Sequence, residues 1–177
     1  MTQSQWDRIV EPTAKQAYRG LVRSLRWSKG FSISFVECSP VAGEELIARL
    51  QQDVTAKRIK VLRFDEPIEK LFHPLLEMPE LKEVDVLIVV GLEKSLRSDI
   101  DPKGIRGEGG YYSLETAPPL LEHLNWQRDN FREYFPHLHF VFLLPIYGIK
   151  YFIRRAPDFF DWRSSVTKIP CGKGCFG

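Results

Sequence analysis

The stretch VDVLIVV, residues 84–90, is apolar at every position except Asp85 and shows no alternation of polar and apolar side chains. This pattern is typical of a strand that is buried on both faces, because parallel sheets are covered by helices on each side. Shorter strand-like runs lie at 31–36 and 59–64, and a further apolar run lies at 138–144. We therefore predict a mostly parallel sheet with residues 84–90 near its centre.

Segments with helical periodicity separate these strands. Residues 13–27 place their apolar side chains on one face, and Ser39 followed by Pro40 is a typical start of a second helix. Further helices are predicted to begin near residues 67, 117 and 148. Strands that alternate with helices indicate an α/β fold, here a three-layer α-β-α sandwich. We expect one domain over residues 1–166 and a short tail over 167–177.

Composition excludes several classes of protein. The 177 residues carry 25 Lys plus Arg against 23 Asp plus Glu, a formal net charge of +2, so any basic surface must be local. Residues 1–8 lack the apolar core of a signal peptide, and the longest apolar runs are far shorter than a bilayer requires. We expect a cytoplasmic protein that does not enter a membrane.

Residues 38–45 follow the first strand with the length and position of the phosphate loop G-x-x-x-x-G-K-[ST]. Only Gly43 matches. Glu44 and Glu45 stand where the motif has its phosphate-binding lysine and its magnesium-binding hydroxyl. If a nucleotide binds, Ser39 and Gly43 are the candidate contacts. The alternative needs no ligand, because acidic side chains are favoured at a helix N-terminus.

The residues after the third strand are a second position where nucleotide hydrolases carry functional side chains. Nucleotide hydrolases hold magnesium with an acidic residue at the end of this strand, and here Gly91 occupies that position. Glu93, two residues later, is the candidate catalytic carboxylate if the protein is hydrolytic. The alternative is a surface ion pair between Glu93 and Lys94.

Two groups of cations are candidate binding residues. Arg154 and Arg155 close the last predicted helix and can face a bound anion, although the helix dipole also favours cations there. Arg19, Arg23 and Arg26 form a basic stripe on the first helix, which suits nucleic acid or an acidic partner. The alternative for this stripe is a solvated helix face.

Thiol and metal chemistry have weaker signals. Cys38 lies at the end of a strand and the start of a helix, where a thiolate is stabilised, but a small buried residue also suits that position. His137 and His139 share a strand face, and Cys171 and Cys175 lie close in sequence. Neither pair has the further ligands of a tetrahedral zinc site, so we expect no metal.

Several segments of this chain match one family pattern. They are residues 35–40, 91–93, 124–128 and 142–145, and above all RAPDFFDWRS at 155–164. Through them the chain resembles the degenerate AAA-like or STAND-type P-loop NTPase domains that precede tetratricopeptide repeats in bacterial multidomain proteins. The resemblance covers about residues 15–166. It implies an NTPase-like fold used in signalling or assembly, in many members without an intact phosphate loop.

These observations lead to three hypotheses for function. The first is an NTPase-derived regulatory or scaffold module that binds no cofactor, does not hydrolyse nucleotides, and associates with a protein partner or with itself. The second is an active ATP- or GTP-binding switch with magnesium at a divergent site. The third is a binder of nucleic acid or of an acidic partner through the basic first helix.

Overall fold

The computed structural model describes residues 12–99 and 117–170, and its five strands form one sheet. The strands are β1 (Ser32–Glu37), β2 (Ile59–Arg63), β3 (Val86–Val90), β4 (His139–Leu144) and β5 (Ser165–Lys168). Every neighbouring pair is parallel, and the order is β2-β3-β4-β1-β5. The predicted parallel α/β sheet is confirmed, with β4 at its centre and β3 beside it.

Within residues 12–99 and 117–170, six α-helices connect or flank the strands. They are α1 (Ala14–Trp27), α2 (Pro40–Asp53), α3 (Phe72–Leu76), α4 (Pro119–Tyr134), α5 (Ile146–Arg155) and α6 (Pro157–Phe160). The helix predicted from Pro67 begins only at Phe72. Short 3₁₀ segments cover Pro79–Glu83 and Leu92–Asp99. The predicted loop over 97–113 falls mostly on residues that lie outside the described ranges.

The two faces of the sheet carry separate apolar cores. On one face Phe35 and Phe142 pack with residues of α3, α4, α5 and α6. On the other face Val36 and Leu143 pack with residues of α1 and α2. Successive strand residues point to opposite faces, so apolar side chains at consecutive positions satisfy both cores. This arrangement is the three-layer sandwich that the apolar strands predicted.

The aromatic segment after α5 packs against the sheet. Phe159 and Phe160 are buried, and the Phe160 and Phe35 ring centroids lie 4.8 Å apart. The Arg163 guanidinium stands 4.3 Å from the centre of the Phe160 ring and within 3.6 Å of an Asp161 carboxylate oxygen. These contacts make the segment part of the core.

The fifth strand was not predicted. β5 pairs with β1 over four residues and continues past residue 166, where we expected the folded domain to end. Ile169, just after the strand, is buried in the core beneath α1 and α2, and its amide donates to the Glu37 carbonyl at 2.9 Å. Cys171 and Cys175 lie outside the described residues. Over the described ranges no helix is both long and apolar enough to cross a membrane.

Candidate functional site

A crevice opens where neighbouring strands send the chain to opposite faces of the sheet. β1 leads into α2 on one face, and the adjacent β4 leads into α5 on the other. Ligands of open parallel sheets bind at such a switch point, outside the carboxyl ends of the strands. The crevice has a volume of about 360 Å³ and is lined by Glu37, Cys38, Ser39, Pro145, Ile146, Lys168, Ile169 and Pro170.

The connection from β1 to α2 consists of two residues, Cys38 and Ser39. The Ser39 hydroxyl accepts a hydrogen bond from the Ala42 amide at 3.2 Å, and Pro40 has no amide hydrogen. Gly43 lies inside the first turn of α2 and is buried, and its amide donates to the Ser39 carbonyl at 2.8 Å. Little of this helix N-terminus is therefore left to hold an anion.

Gly43 lies where α2 packs on the sheet. A Cβ atom at this position would lie 3.5 Å from Cys38 Sγ and 3.6 Å from Leu143 Cδ1, both ordinary van der Waals distances. The described packing therefore has room for a methyl group. The match of Gly43 to the phosphate-loop pattern therefore coincides with a helix-on-sheet contact.

Glu44 is held by an arginine from another strand. Its two carboxylate oxygens accept hydrogen bonds from Arg63 Nε (3.1 Å) and Nη2 (2.9 Å), a bidentate pair that joins α2 to the end of β2. This hydrogen bonding lowers the pKa of Glu44 below its ordinary value. Glu44, paired with Arg63, therefore occupies the position where the phosphate-loop motif has its lysine.

Gly91 packs against the backbone of Phe64, directly after β2. It has a φ of +93°, and a Cβ atom there would lie 2.1 Å from the Phe64 carbonyl oxygen. The Phe64 amide in turn donates to the Val90 carbonyl at 2.9 Å, which keeps the two segments together. Any side chain at position 91, an aspartate included, would collide with this backbone.

Glu93 is buried, and the predicted surface pair with Lys94 is wrong. Only 8% of Glu93 is exposed, and its Oε2 atom has no hydrogen-bond partner among the described residues. Lys94 instead donates to the Phe64 carbonyl at 3.1 Å and lies 3.6 Å from Asp65. The two residues are neighbours in sequence, but the 3₁₀ segment directs their side chains into different surroundings.

The surroundings of Cys38 favour its protonated thiol. Burial, together with the nearby carboxylates of Glu93 and Glu37, raises the pKa of Cys38 to about 12. The helix N-terminus that was expected to stabilise a thiolate is outweighed by these effects. The alternative of a small buried residue at a strand end describes Cys38 better.

Of the four predicted nucleotide contacts, Ser39 lines the crevice, whereas Gly43, Arg154 and Arg155 are not among its lining residues. α5 begins beside the crevice at Ile146, and the two arginines close its last turn, roughly 12 Å further along the helix axis at 1.5 Å per residue. Among the described lining residues, Lys168 is the cation. It belongs to β5, a strand with too few apolar residues to be recognised in the sequence.

His137 and His139 form hydrogen bonds inside the fold. His139 Nε2 lies 2.7 Å from the Ser34 hydroxyl, and His139 Nδ1 lies 2.9 Å from the Ser28 hydroxyl. His137 Nε2 lies 2.9 Å from the Leu81 carbonyl. Across the parts of the chain that the structure describes, no three His, Cys, Asp or Glu side chains are grouped to hold a metal ion.

Comparison with known proteins finds no matching family model and no matching curated protein. Among solved structures, the chain is similar to the ORC2 protein of Aeropyrum pernix in its ADPNP-ADP complexes, with a TM-score of 0.50 and 9% sequence identity. The match covers 90% of this chain and 48% of that chain, so the chain spans about half the length of the ORC2 structure. At this identity the likeness concerns the fold. We conclude that the chain has a P-loop NTPase-like α/β fold with a five-stranded parallel sheet.

Proposed function

We propose that this chain is an NTPase-derived regulatory or scaffold module of the degenerate, STAND-like kind, which does not hydrolyse nucleotides and acts through protein association. The observation that carries the proposal is Gly91. Phe64 closes the space beside it, so no carboxylate can stand at the position where a nucleotide hydrolase needs one. A magnesium-dependent hydrolysis would therefore lack its usual carboxylate at this position.

The β1 end of the crevice supports the same proposal. Glu37 lines it, Glu93 is buried nearby, and Glu44 is bound to Arg63. A triphosphate needs several cations and open amides, whereas the described lining has one carboxylate, Glu37, one cation, Lys168, and a capped helix N-terminus. We therefore expect little attraction for a polyanion.

The rim of the crevice suits a protein surface. Val41 and Ile146 begin the helices on either side and are 54% and 50% exposed. Pro145, Ile169 and Pro170 add apolar lining. Apolar side chains at the centre of an interface, with charged groups beside them, are typical of protein association.

Calorimetric titration with Mg-ATP and Mg-GTP tests the loss of nucleotide function. We expect no saturable heat at micromolar concentrations and no release of inorganic phosphate. Sedimentation of the chain over a range of concentrations tests association, with Ile146→Asp as the disrupting variant and Ile153→Asp, on the same helix, as the control. Saturable binding with turnover would refute the proposal.

One observation favours the active switch as a second candidate. The buried Glu93 carboxylate has an oxygen without a hydrogen-bond partner among the described residues, near the carboxyl end of β3. Such an atom costs stability unless something else contacts it. If the switch hypothesis holds, Glu93→Gln abolishes a hydrolysis that the unchanged protein shows. A wild-type protein without hydrolysis removes this candidate.

A further inference from the structure

α1 presents a fixed outer face. Its inner face buries Tyr18, Leu21 and Leu25 against α2 and the sheet. The Tyr18 hydroxyl donates to Asp53 at 2.5 Å, and a capping box between Thr13 and Gln16 closes the N-terminus. These contacts hold the helix in one rotation about its axis, so the side chains of the opposite face are presented together.

That outer face carries a row of four cations. Lys15, Arg19, Arg23 and Arg26 are all exposed, and residues 14–30 contain no Asp or Glu. Among the described residues, none of these four cations forms an ion pair with a carboxylate. Arg26 donates to the Asp53 backbone carbonyl at 2.7 Å, which orients its guanidinium.

Cations on other elements of the chain contrast with this face. Ion pairs bind Arg58 to Glu83, Lys60 to Glu80, Arg63 to Glu44, Lys94 to Asp65 and Arg128 to Asp158. Within residues 12–99 and 117–170, the α1 row forms no such ion pair. The row therefore creates a local positive potential, although the net charge of the chain is only +2.

The cations are spaced along one ridge. At about 100° per residue, Lys15, Arg19 and Arg26 fall within an arc of about 40°, with Arg23 adjoining. The ridge is about 16 Å long at 1.5 Å per residue. A ridge of this length spans several phosphates of a nucleic-acid strand. Arginine is also the side chain best suited to bidentate phosphate contacts.

Trp27 stands at the end of the same ridge. Its side chain is 78% exposed, and it lies four residues after Arg23, so the two side chains are neighbours on the helix surface. An exposed indole is a platform on which an unpaired base stacks. A duplex keeps its bases stacked within itself, which favours a single strand.

We propose that the outer face of α1 binds single-stranded nucleic acid, with Arg19, Arg23 and Arg26 on the phosphates and Trp27 stacked on a base. The two kinds of contact have different signatures. Phosphate contacts make binding depend on salt, whereas stacking strengthens binding at every salt concentration. A titration that varies salt separates them.

Fluorescence anisotropy of the full chain with a short fluorescein-labelled oligothymidylate, between about 50 and 200 mM salt, provides the test. We expect each change of Arg19, Arg23 or Arg26 to Gln to reduce the slope of log affinity against log salt by about 0.7. Trp27→Ala should weaken binding about 5- to 150-fold and leave the slope unchanged, since stacking contributes about 1–3 kcal/mol per base.

Matched controls lie on the other face of the sheet. Trp126 is 79% exposed on α4, and Lys150 is exposed on α5, so Trp126→Ala and Lys150→Gln should leave affinity and slope unchanged. Absence of saturable binding at about 50 mM salt overturns the proposal. So does full affinity in Trp27→Ala. Displacement of the oligonucleotide by polyglutamate at equal charge overturns it in favour of an acidic protein partner.

Discussion

Gly91 shows how a single residue constrains the chemistry of this site. The positive φ of +93° is strained for any residue with a side chain, and the Phe64 carbonyl occupies the space that a Cβ would need. Because the obstructing atom is backbone, a rotamer change cannot relieve the contact. A nucleotide hydrolase has an acidic residue at this position. The close Phe64 carbonyl therefore explains both the glycine and the proposed loss of hydrolysis.

Gly91→Ala should therefore destabilise the protein. We expect the free energy of unfolding to fall by about 3 kcal/mol, from left-handed backbone strain and the collision with Phe64. Urea denaturation measures this change in the free energy of unfolding. Gly20→Ala is the matched control, because nothing lies within 4 Å of a Cβ there and the site is inside α1. It should raise stability by about 0.5–1 kcal/mol. Equal effects of the two changes would contradict this account.

At the scale of an element, the short connection between β1 and α2 limits what this junction can bind. Two residues connect the strand to the helix, and the helix starts with its first amides already capped or absent. Side chains alone cannot convert such a junction into a loop that wraps a phosphate chain.

The double change Glu44→Lys and Glu45→Thr tests this point, since it restores the residue types of the phosphate motif after Gly43. We expect calorimetry to detect no saturable Mg-ATP binding. Loss of the exposed pair with Arg63 should lower stability by less than about 1 kcal/mol, so the variant stays folded in a thermal melt. If it binds Mg-ATP, side-chain identity outweighs loop length and the interpretation is wrong.

β5 is the element whose importance is least visible in the sequence. Its pattern of partly buried and exposed residues resembles a loop, yet it pairs with β1 and brings Ile169 into the core. Ile169→Ala should lower the free energy of unfolding by about 2–4 kcal/mol, because it leaves a cavity. Val166→Ala, at a position that is 46% exposed, should change it by less than about 0.5 kcal/mol. Denaturation of both variants shows whether the folded unit extends beyond residue 166.

At the scale of the whole molecule, a buried chain of hydroxyls and an imidazole ties distant elements together. Ser165 Oγ donates to Ser34 Oγ at 2.9 Å, Ser34 Oγ lies 2.7 Å from His139 Nε2, and His139 Nδ1 contacts Ser28 Oγ beyond the end of α1. The chain therefore joins β5, β1, β4 and the end of α1. Its central imidazole is buried, and burial lowers the pKa of His139 to about 4, with Lys57 contributing.

This pKa predicts acid lability. Between pH 6.5 and pH 4 the unfolded chain binds a proton at His139 that the folded chain does not, so stability falls as the pH falls through this window. The expected loss is about 3 kcal/mol. Denaturation across this range should show that the free energy of unfolding depends less on pH in His139→Gln than in the wild type. His73→Gln, at an exposed position, should keep the wild-type profile; a flattened profile there would contradict the assignment to His139.

The sequence determined the class of fold, because secondary structure and burial follow from local pattern. An apolar run such as 84–90 is stable only between two layers of helices, and it led directly to a parallel α/β sheet. The candidate positions after β1 and β3 followed from the same rule about strand ends. The basic face of α1 was visible from helical spacing alone.

Tertiary structure decided what these positions can do. Gly91 meets a carbonyl 27 residues away in sequence, Glu44 meets Arg63 from another strand, and Glu93 is buried although it stands beside a lysine. β5 is a strand because β1 offers an open edge to it. Each outcome depends on contacts between distant segments, whose energies local sequence does not encode, and that is why the chemistry of the site emerged only from the folded molecule.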